Sequence, residues 1–334
     1  RIFMAKLNEI GKHILKIKRQ KFKNGQDFSI AFLGDSHIGR TNCKCGTDCT
    51  EERYVTLLSK INNEKNIYAI IHGGDASDYG NGSLERFADD TAKVLNYDNA
   101  EIKEEDKIPL FSNTGNHDYK FGKFPDECIT IDDYHNNIGK DNDIIEFFGN
   151  NKGPEVAVIL LNTGYGNSGK LIGTAKFKDK LNSLSLSMRN IIKNHKFVRF
   201  IIDMHIPPMI PYEITGTHTL NPEFDSDFKN FFKKYTERIL AITTHHIHGQ
   251  IQDAAYHYKI TNRFQKYSIP VYITAQGGQC DSNKPPYKNA QYSFYKMNLS
   301  KVSNSYMLSS VYRYDMIWDY NKKDFALSSG ILIK

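Results

Sequence analysis

Along the first 250 residues, short apolar runs alternate with amphipathic stretches. "FSIAFLG" (28–34), "IYAIIHGG" (67–74), "IPLFSNTGN" (108–116), "EVAVILLNT" (155–163), "FVRFIID" (197–203) and "ILAITT" (239–244) read as buried strands, several ending at glycine, asparagine or threonine. "EERYVTLLSKI", "SLERFADDTAKVL" (83–95) and a long pattern from about 174 to 193 carry apolar residues at helical spacing. This alternation implies parallel strands joined by crossover helices, an α/β chain. After residue 250 the pattern changes. "QDAAYHYKI", "IPVYITAQ", "QYSFYKMNL" and "YMLSSVYRYD" are strand-like with no helix between them, which predicts an antiparallel meander closing a second sheet. Stretches at about 119–143, 207–223 and 280–290 read as inserted loops.

Composition adds little to that picture: 334 residues, 40% hydrophobic and 25% charged, is ordinary for a globular chain. No apolar run reaches the roughly 18 residues a membrane span needs. The chain opens at Arg1 rather than Met, so the lack of a visible leader carries no weight. Charge is more informative. Residues 1–25 hold eight basic side chains against Glu9 alone, so the net +6 conceals a body of about −1. Such a body argues against a broad nucleic-acid-binding face. The arm also spaces Phe3, Met4, Leu7, Ile10, Ile14 and Ile17 as a helix would. It reads either as a terminal helix docked on its own domain or as a membrane-surface contact through residues 1–25.

Three of the five cysteines, Cys43, Cys45 and Cys49, crowd into "CKCGTDC", with Cys128 and Cys280 distant. That spacing fits a zinc knuckle poorly. It leaves a reduced, solvent-facing loop or one or two disulfides. Clustered exposed thiols are a liability, which favours the disulfides and an extracytoplasmic site.

The residues able to do chemistry stand at the strand ends. Asp35 and His37 follow the first strand, Asp75 and Asp78 the second, and Asn116, His117 and Asp118 the third. His205 follows a fourth, and "THHIHG" sets His245, His246 and His248 after a fifth. Ligands of open α/β sheets bind at the carboxyl ends of the strands. Side chains two apart on extended backbone point the same way, so Asp35 can converge with His37 and His246 with His248, leaving His245 on the other side. Each pair alone is weak, because a lone histidine after a strand is more often hydrogen-bonded structure than ligand. Together, Asp35, His37, Asp75, Asn116, His205, His246 and His248 exceed what one tetrahedral zinc can use. They point to two ions of the Mn, Fe or Zn kind, which accept mixed carboxylate, imidazole and amide ligands.

The order D-x-H, G-D-x-x-D, G-N-H-D, a lone His after an apolar strand, then H-x-H resembles the calcineurin-like metallophosphoesterase family, from Asp35 to His248. The resemblance implies a four-layer sandwich of two mixed sheets flanked by helices. It makes residues 26–334 a single catalytic domain behind the basic arm. It further implies that Asp35, His37 and His248 hold one ion, Asn116, His205 and His246 the other, and that Asp75 bridges them. The implied reaction is hydrolysis of a phosphate mono- or diester by in-line attack of a metal-bridging hydroxide. His117 would be the general acid, oriented by Asp78, with Asn116 and His117 against the phosphate.

Two departures stand out. His245 occupies the place where the family usually has glycine before H-x-H, and it reads as structural or as reaching into the site. Tyr79 follows G-D-x-x-D, where the protein phosphatase branch has an arginine that grips phosphate. Arg40 is a candidate substitute, against the plainer reading of a surface arginine. Loops set substrate choice, and Tyr212, His218 and Tyr287 in the inserted loops could stack on a base or sugar or stand there by chance. A nuclease, and a catalytically silent scaffold keeping the fold, remain the rival readings. The near-neutral body opposes the first and the full complement of ligands the second.

Overall fold

The central strands are apolar on both faces because each is covered on both. The computed structural model describes residues 27–39, 48–78, 81–103, 106–118, 144–150, 153–163, 174–208, 222–247, 255–261, 266–275, 277–278, 292–319, 322–327 and 330–333. The basic arm, Arg40, Tyr79, His248, the cysteine side chains, Tyr212, His218, Tyr287 and most of the three inserted loops lie outside them. In chain order the elements are β1 (Phe28–Leu33), α1 (Asp48–Asn62), β2 (Ile67–His72), α2 (Asn81–Val94), β3 (Leu110–Ser112), β4 (Ile144–Asn150) and β5 (Gly153–Leu161). There follow α3 (Thr174–Asn194), β6 (Arg199–Met204), α4 (Pro222–Phe232), a 3₁₀ turn (Thr236–Arg238), β7 (Ile239–Thr244), β8 (Ala255–Thr261) and β9 (Lys266–Ile273). The chain closes with β10 (Tyr292–Val302), β11 (Ser305–Asp319), β12 (Asp324–Leu327) and β13 (Ile331–Leu332).

Sheet 1 runs β12-β11-β10-β1-β2-β3, with β13 also on β11, and sheet 2 runs β4-β5-β6-β7-β9-β8. Both are mixed. β1, β2 and β3 are parallel, while β10 joins β1 antiparallel. β5, β6, β7 and β9 are parallel, with β4 and β8 antiparallel at the edges. The side-chain period of two sorts each strand between two cores. Phe28, Ile30 and Phe32 of β1 meet Val156, Val158 and Leu160 of β5 between the sheets. Ala31 and Leu33 turn the other way, onto α1 and α2. Ala157, Ile159 and Leu161 turn onto α3 and α4. The result is the expected α/β sandwich of four layers.

Two sequence expectations need correction. The strand-like runs after residue 250 are not one meander closing a second sheet. β8 and β9 form a hairpin in sheet 2, and β10 to β12 extend sheet 1. β10 is central in sheet 1, which is why it is apolar on both faces, with Tyr292 and Phe294 toward the helices and Tyr295, Met297 and Leu299 toward sheet 2. The third strand shrinks from 108–116 to Leu110–Ser112, because Asn113 onward turns to make side-chain bonds across the sheets. The sequence pattern did not point to the short β12 and β13, to β4, which directly follows an expected loop, or to α4. This helix presents Phe224, Phe228, Phe231 and Phe232 at helical spacing to the core beneath α3.

A strained acid lies between the helices of sheet 1. Asp90 on α2 has one carboxylate oxygen buried without a hydrogen-bond partner. Burial, and then the nearby Glu51, push its pKa up to about 6. The folded state therefore favours protonated Asp90. That contribution is complete below the usual carboxylate pKa and is lost as pH rises through about 6. Asp90→Asn should stabilise the fold by about 1 kcal/mol at neutral pH, after allowance for its solvent contact, and by nothing near pH 3.5. Urea unfolding at the two pH values measures the difference.

Candidate metal centre

The carboxyl ends of β1, β2 and β3 and of β6 and β7 converge between the sheets, and the loops leaving them turn sharply. Asp35, His37, Asp75 and His246 all have positive φ, at 57°, 47°, 53° and 68°. Side chains there do not follow strand alternation, so the expected two-residue convergence of Asp35 with His37 arises from left-handed turns instead. Such positions cost about 1–3 kcal/mol each and persist only when the surroundings hold them. Asp and His are among the residues that tolerate them. Here the backbone is held by ladders continued past the strands: Asp35 N to Gly74 O at 3.0 Å, His37 N to Asp75 O at 2.9 Å and Asp78 N to Ile38 O at 3.0 Å.

Asp75 sits at the middle. Its Oδ1 accepts the His117 N–H at 2.8 Å. Its Oδ2 is buried with no hydrogen-bond partner, 3.4 Å from His37 Nε2 and 3.2 Å from His205 Nε2. Ligand atoms of Asp35, His37 and Asp75 lie within 4.8 Å of one another, and so do those of Asp75, His205 and His246. The two groups share Asp75. Asn116 joins the second, its Oδ1 3.1 Å from His205 Nε2. His248 falls outside the described residues, as does Arg40.

The donor chemistry fits cations. His205 Nδ1 donates to the Gly73 carbonyl at 3.0 Å. Its Nε2 is thereby turned to Asp75 Oδ2, Asn116 Oδ1 and, at 4.0 Å, Asp35 Oδ1. All three oxygens are acceptors, so a positive charge belongs at that nitrogen, whether proton or metal ion. Without an ion the proton takes the place. Burial opposes it, but Asp75 and Asp35 raise the His205 pKa to about 9. His37 is oriented likewise, its Nδ1 on Asp78 Oδ1 at 2.7 Å and its Nε2 toward Asp75. The carboxylate partner fixes the tautomer of an imidazole offered to metal.

Asp78 does more than the sequence suggested. Its Oδ1 also lies 3.1 Å from His117 Nδ1, so one oxygen serves His37 and His117 together. Burial alone would raise its pKa, but His117 and His37 hold the carboxyl well below the usual range. His117 is 26% exposed, whereas Asp35, His37 and His205 are fully buried. It therefore stands at the mouth of the site.

Three supporting residues stand out: Asp118, which the sequence placed at the site without a role, and Asp203 and His72, which it did not single out. Asp118 accepts the backbone N–H groups of Asp75 at 2.8 Å, Ser77 at 3.1 Å and Gly115 at 2.8 Å, and so ties the second and third loops together. Its place in G-N-H-D was the available signal. Asp203 takes Asn113 Nδ2 at 3.0 Å, Thr243 Oγ1 at 2.8 Å and His245 Nε2 at 2.8 Å. His72, on β2, meets Ser36 Oγ at 2.7 Å. Burial, then His245, lowers its pKa to about 3, which keeps the ring neutral.

His245 points away from the ligand group. Its Nδ1 meets Thr274 Oγ1 at 2.6 Å, and its ring lies against Gly34 and Gly73. A Cβ on Gly73 would fall 1.7 Å from His245 Nε2, and one on Gly34 2.5 Å from Nδ1. The left-handed backbone falls on His246 instead, so replacing the family's usual glycine with His245 carries no positive-φ strain.

Two outcomes follow. Gly73→Ala should destabilise the fold by about 1–3 kcal/mol through overpacking and lower metal affinity with it, read by urea unfolding and metal titration. Ions entering the site must displace the His205 proton, so Mn²⁺ addition at neutral pH should release protons, and affinity should rise with pH until about 9. A weakly buffered calorimetric titration measures that release.

A family model described as calcineurin-like phosphoesterase matches residues 28–235. No curated protein matches the sequence. Among solved structures, the calcineurin-like phosphoesterase YfkN from Bacillus subtilis is similar at 14% identity and TM-score 0.44, covering 91% of each chain. GAP50 of Plasmodium, titled the anchor in the inner membrane complex, is similar at 12% identity and TM-score 0.46, over 86% of this chain and 84% of that one. A putative 5'-nucleotidase from Staphylococcus aureus is similar at 13% identity and TM-score 0.44, over 92% of this chain, which spans 54% of the nucleotidase. With the family match running from the first residue of β1 past His205, the chain belongs to the calcineurin-like phosphoesterases and is a metal-dependent phosphoric ester hydrolase.

Proposed function

We propose that residues 26–334 act as one catalytic unit hydrolysing phosphate mono- or diesters at a two-ion centre. Asp35, His37 and His248 would hold one ion and Asn116, His205 and His246 the other, with Asp75 shared. The observation that carries this reading is the place of Asp75 in two separate ligand groups, its buried Oδ2 facing one imidazole of each. Ions of the Mn, Fe or Zn type would activate water and draw charge from the phosphate oxygens.

The chain's own residues do the rest. His117, partly exposed at the mouth, gives a proton to the leaving oxygen. The ionised Asp78 at its Nδ1 favours the imidazolium and turns Nε2 outward. The Asp75 bond to the His117 backbone fixes the loop on which that imidazole rides. Asn116 contributes a neutral ligand beside the phosphate, and Arg40 is its candidate anion grip. Asp35, Asp75 and Asp78 are buried, so their negative charge would serve to hold the ions rather than meet solvent.

After metal stripping, Mn²⁺ should restore hydrolysis of p-nitrophenyl phosphate or bis(p-nitrophenyl) phosphate, and the ratio of rates assigns monoester or diester. Full metal loading with no turnover on any phosphate ester would sink the proposal. His117→Asn should keep both ions and cost about 10²–10⁴-fold in kcat on an alkyl phosphate. The loss should be smaller on a p-nitrophenyl ester, whose leaving group needs little protonation. Equal losses on both would remove His117 from the acid role.

A further inference from the structure

Opposite the metal centre, at the amino ends of β6 and β7, the sandwich gathers positive charge. α3 ends there, and the turn after it leads into β6. The segment after α4 leads into β7 alongside. Arg238 donates to the carbonyls of Lys196 at 2.6 Å and Val198 at 3.5 Å, and Arg199 donates to the Glu237 carbonyl, so the two segments are laced together. The first carries Arg189, Lys193, Lys196 and Arg199, the second Lys233, Lys234 and Arg238, against Glu237 as the single acid of both. The Glu237 carboxylate accepts the Tyr267 hydroxyl at 3.1 Å. None of the seven cations forms an ion pair among the described residues. Some lysines elsewhere do, such as Lys60 with Asp324, Lys296 with Glu64, Lys301 with Glu155 and Lys323 with Glu52. In a body of about −1 this is a concentrated patch.

Apolar side chains project beside it. Phe197, in the turn between α3 and β6, is 54% exposed. Ser305 Oγ donates to its carbonyl at 3.0 Å, which brings the β10–β11 hairpin turn alongside. Val302 and Met307 of that hairpin are also exposed, as is Leu186 on α3 one turn before Arg189. Between α3 and the Lys234–Arg238 segment lies an open cavity of about 600 Å³. Arg189, Lys234 and Arg238 line it, with the Tyr235 and Ser185 hydroxyls bonded to each other at 2.5 Å.

A soluble anion would use the cations and leave the apolar side chains without a purpose. A single-stranded nucleic acid would find one aromatic platform, Phe197, and no use for the aliphatic Val302, Met307 and Leu186. Unpaired cations flanked by projecting aliphatic and aromatic side chains match an anionic bilayer surface, where charge meets headgroups and apolar tips enter the acyl boundary. We propose that this end of the sandwich docks on an anionic lipid bilayer, with Phe197 and Val302 at the acyl boundary. A headgroup phosphate would sit among Arg189, Lys234 and Arg238. The surface is separate from the basic arm at residues 1–25, and the proposal does not depend on phosphoesterase turnover.

The test is co-sedimentation of the full chain with phosphatidylcholine vesicles, with and without phosphatidylserine. Binding is expected only with phosphatidylserine. Lys193→Ser with Lys196→Ser should weaken it roughly fivefold per cation removed. Phe197→Ser with Val302→Ser, which leaves the charge unchanged, should weaken it too. All four positions are exposed or near turns, and unfolding midpoints check that the fold is kept. Binding unchanged in both variants would overturn the proposal and assign any contact to another surface. Loss with the charge variant alone, reproduced by competing inorganic phosphate, would also overturn it and leave a site for soluble anions. Retention of an RNA oligonucleotide without vesicle binding would overturn it in favour of nucleic acid. Mn²⁺-restored turnover on soluble p-nitrophenyl esters should be the same in wild type and variants, which keeps this test independent of the site's.

Discussion

The candidate metal centre depends on two sheets meeting at their carboxyl ends, and a single imidazole sets how closely they approach. His245 belongs to sheet 2, yet its ring occupies the space left by two glycines of sheet 1, Gly34 and Gly73. Asp203 and Thr274, at the ends of neighbouring strands, hold the ring from behind. Residues just after those glycines are the ones that matter chemically: Asp35 follows Gly34, and Asp75 stands two after Gly73. His205, which continues β6 beyond Asp203, returns a bond to the Gly73 carbonyl. Sheet 1 provides Asp35, His37, Asp75, Asp78, Asn116 and His117, and sheet 2 provides His205 and His246. Neither set is complete without the other.

Electrostatics explains why such a site needs so much support. Asp35, Asp75, Asp78 and Asp118 are all buried, the first three around His37 and Asp118 on the Asp75 backbone. Burying several carboxylates is costly unless each finds compensation. Here backbone N–H groups and imidazoles supply it in different proportions. Asp118 takes three N–H groups. Asp78 takes two imidazoles. Asp75 turns its Oδ2 to the imidazoles of His37 and His205, where a positive charge, proton or metal ion, compensates it.

The blocks at the strand ends were readable because each combines an apolar run, which places a strand, with residue types whose burial is otherwise unfavourable. The layered sandwich was readable for the same reason, since runs such as "EVAVILL" imply cover on both faces. Membership of a sheet was not. β10 and β9 look alike as sequences, and only the partner that each meets, β1 or β7, decides their sheets. Helix α4 was hidden by an insertion drawn across its start, though its phenylalanine spacing was visible. Asp203 and His72 were passed over because their partners lie 42 and 36 residues away. A polar residue inside an apolar strand acquires meaning only from what crosses the gap to it.

The left-handed backbone at Asp35, His37, Asp75 and His246 constrains how this site could change over generations. Identity at those positions is restricted twice, once by what binds a cation and once by what the turn accepts. Leucine or valine would fail the backbone even where no ion was needed, whereas asparagine would satisfy it. Erosion of such a centre should therefore run through asparagine before reaching any apolar residue, so that the geometry of the loops outlasts their chemistry.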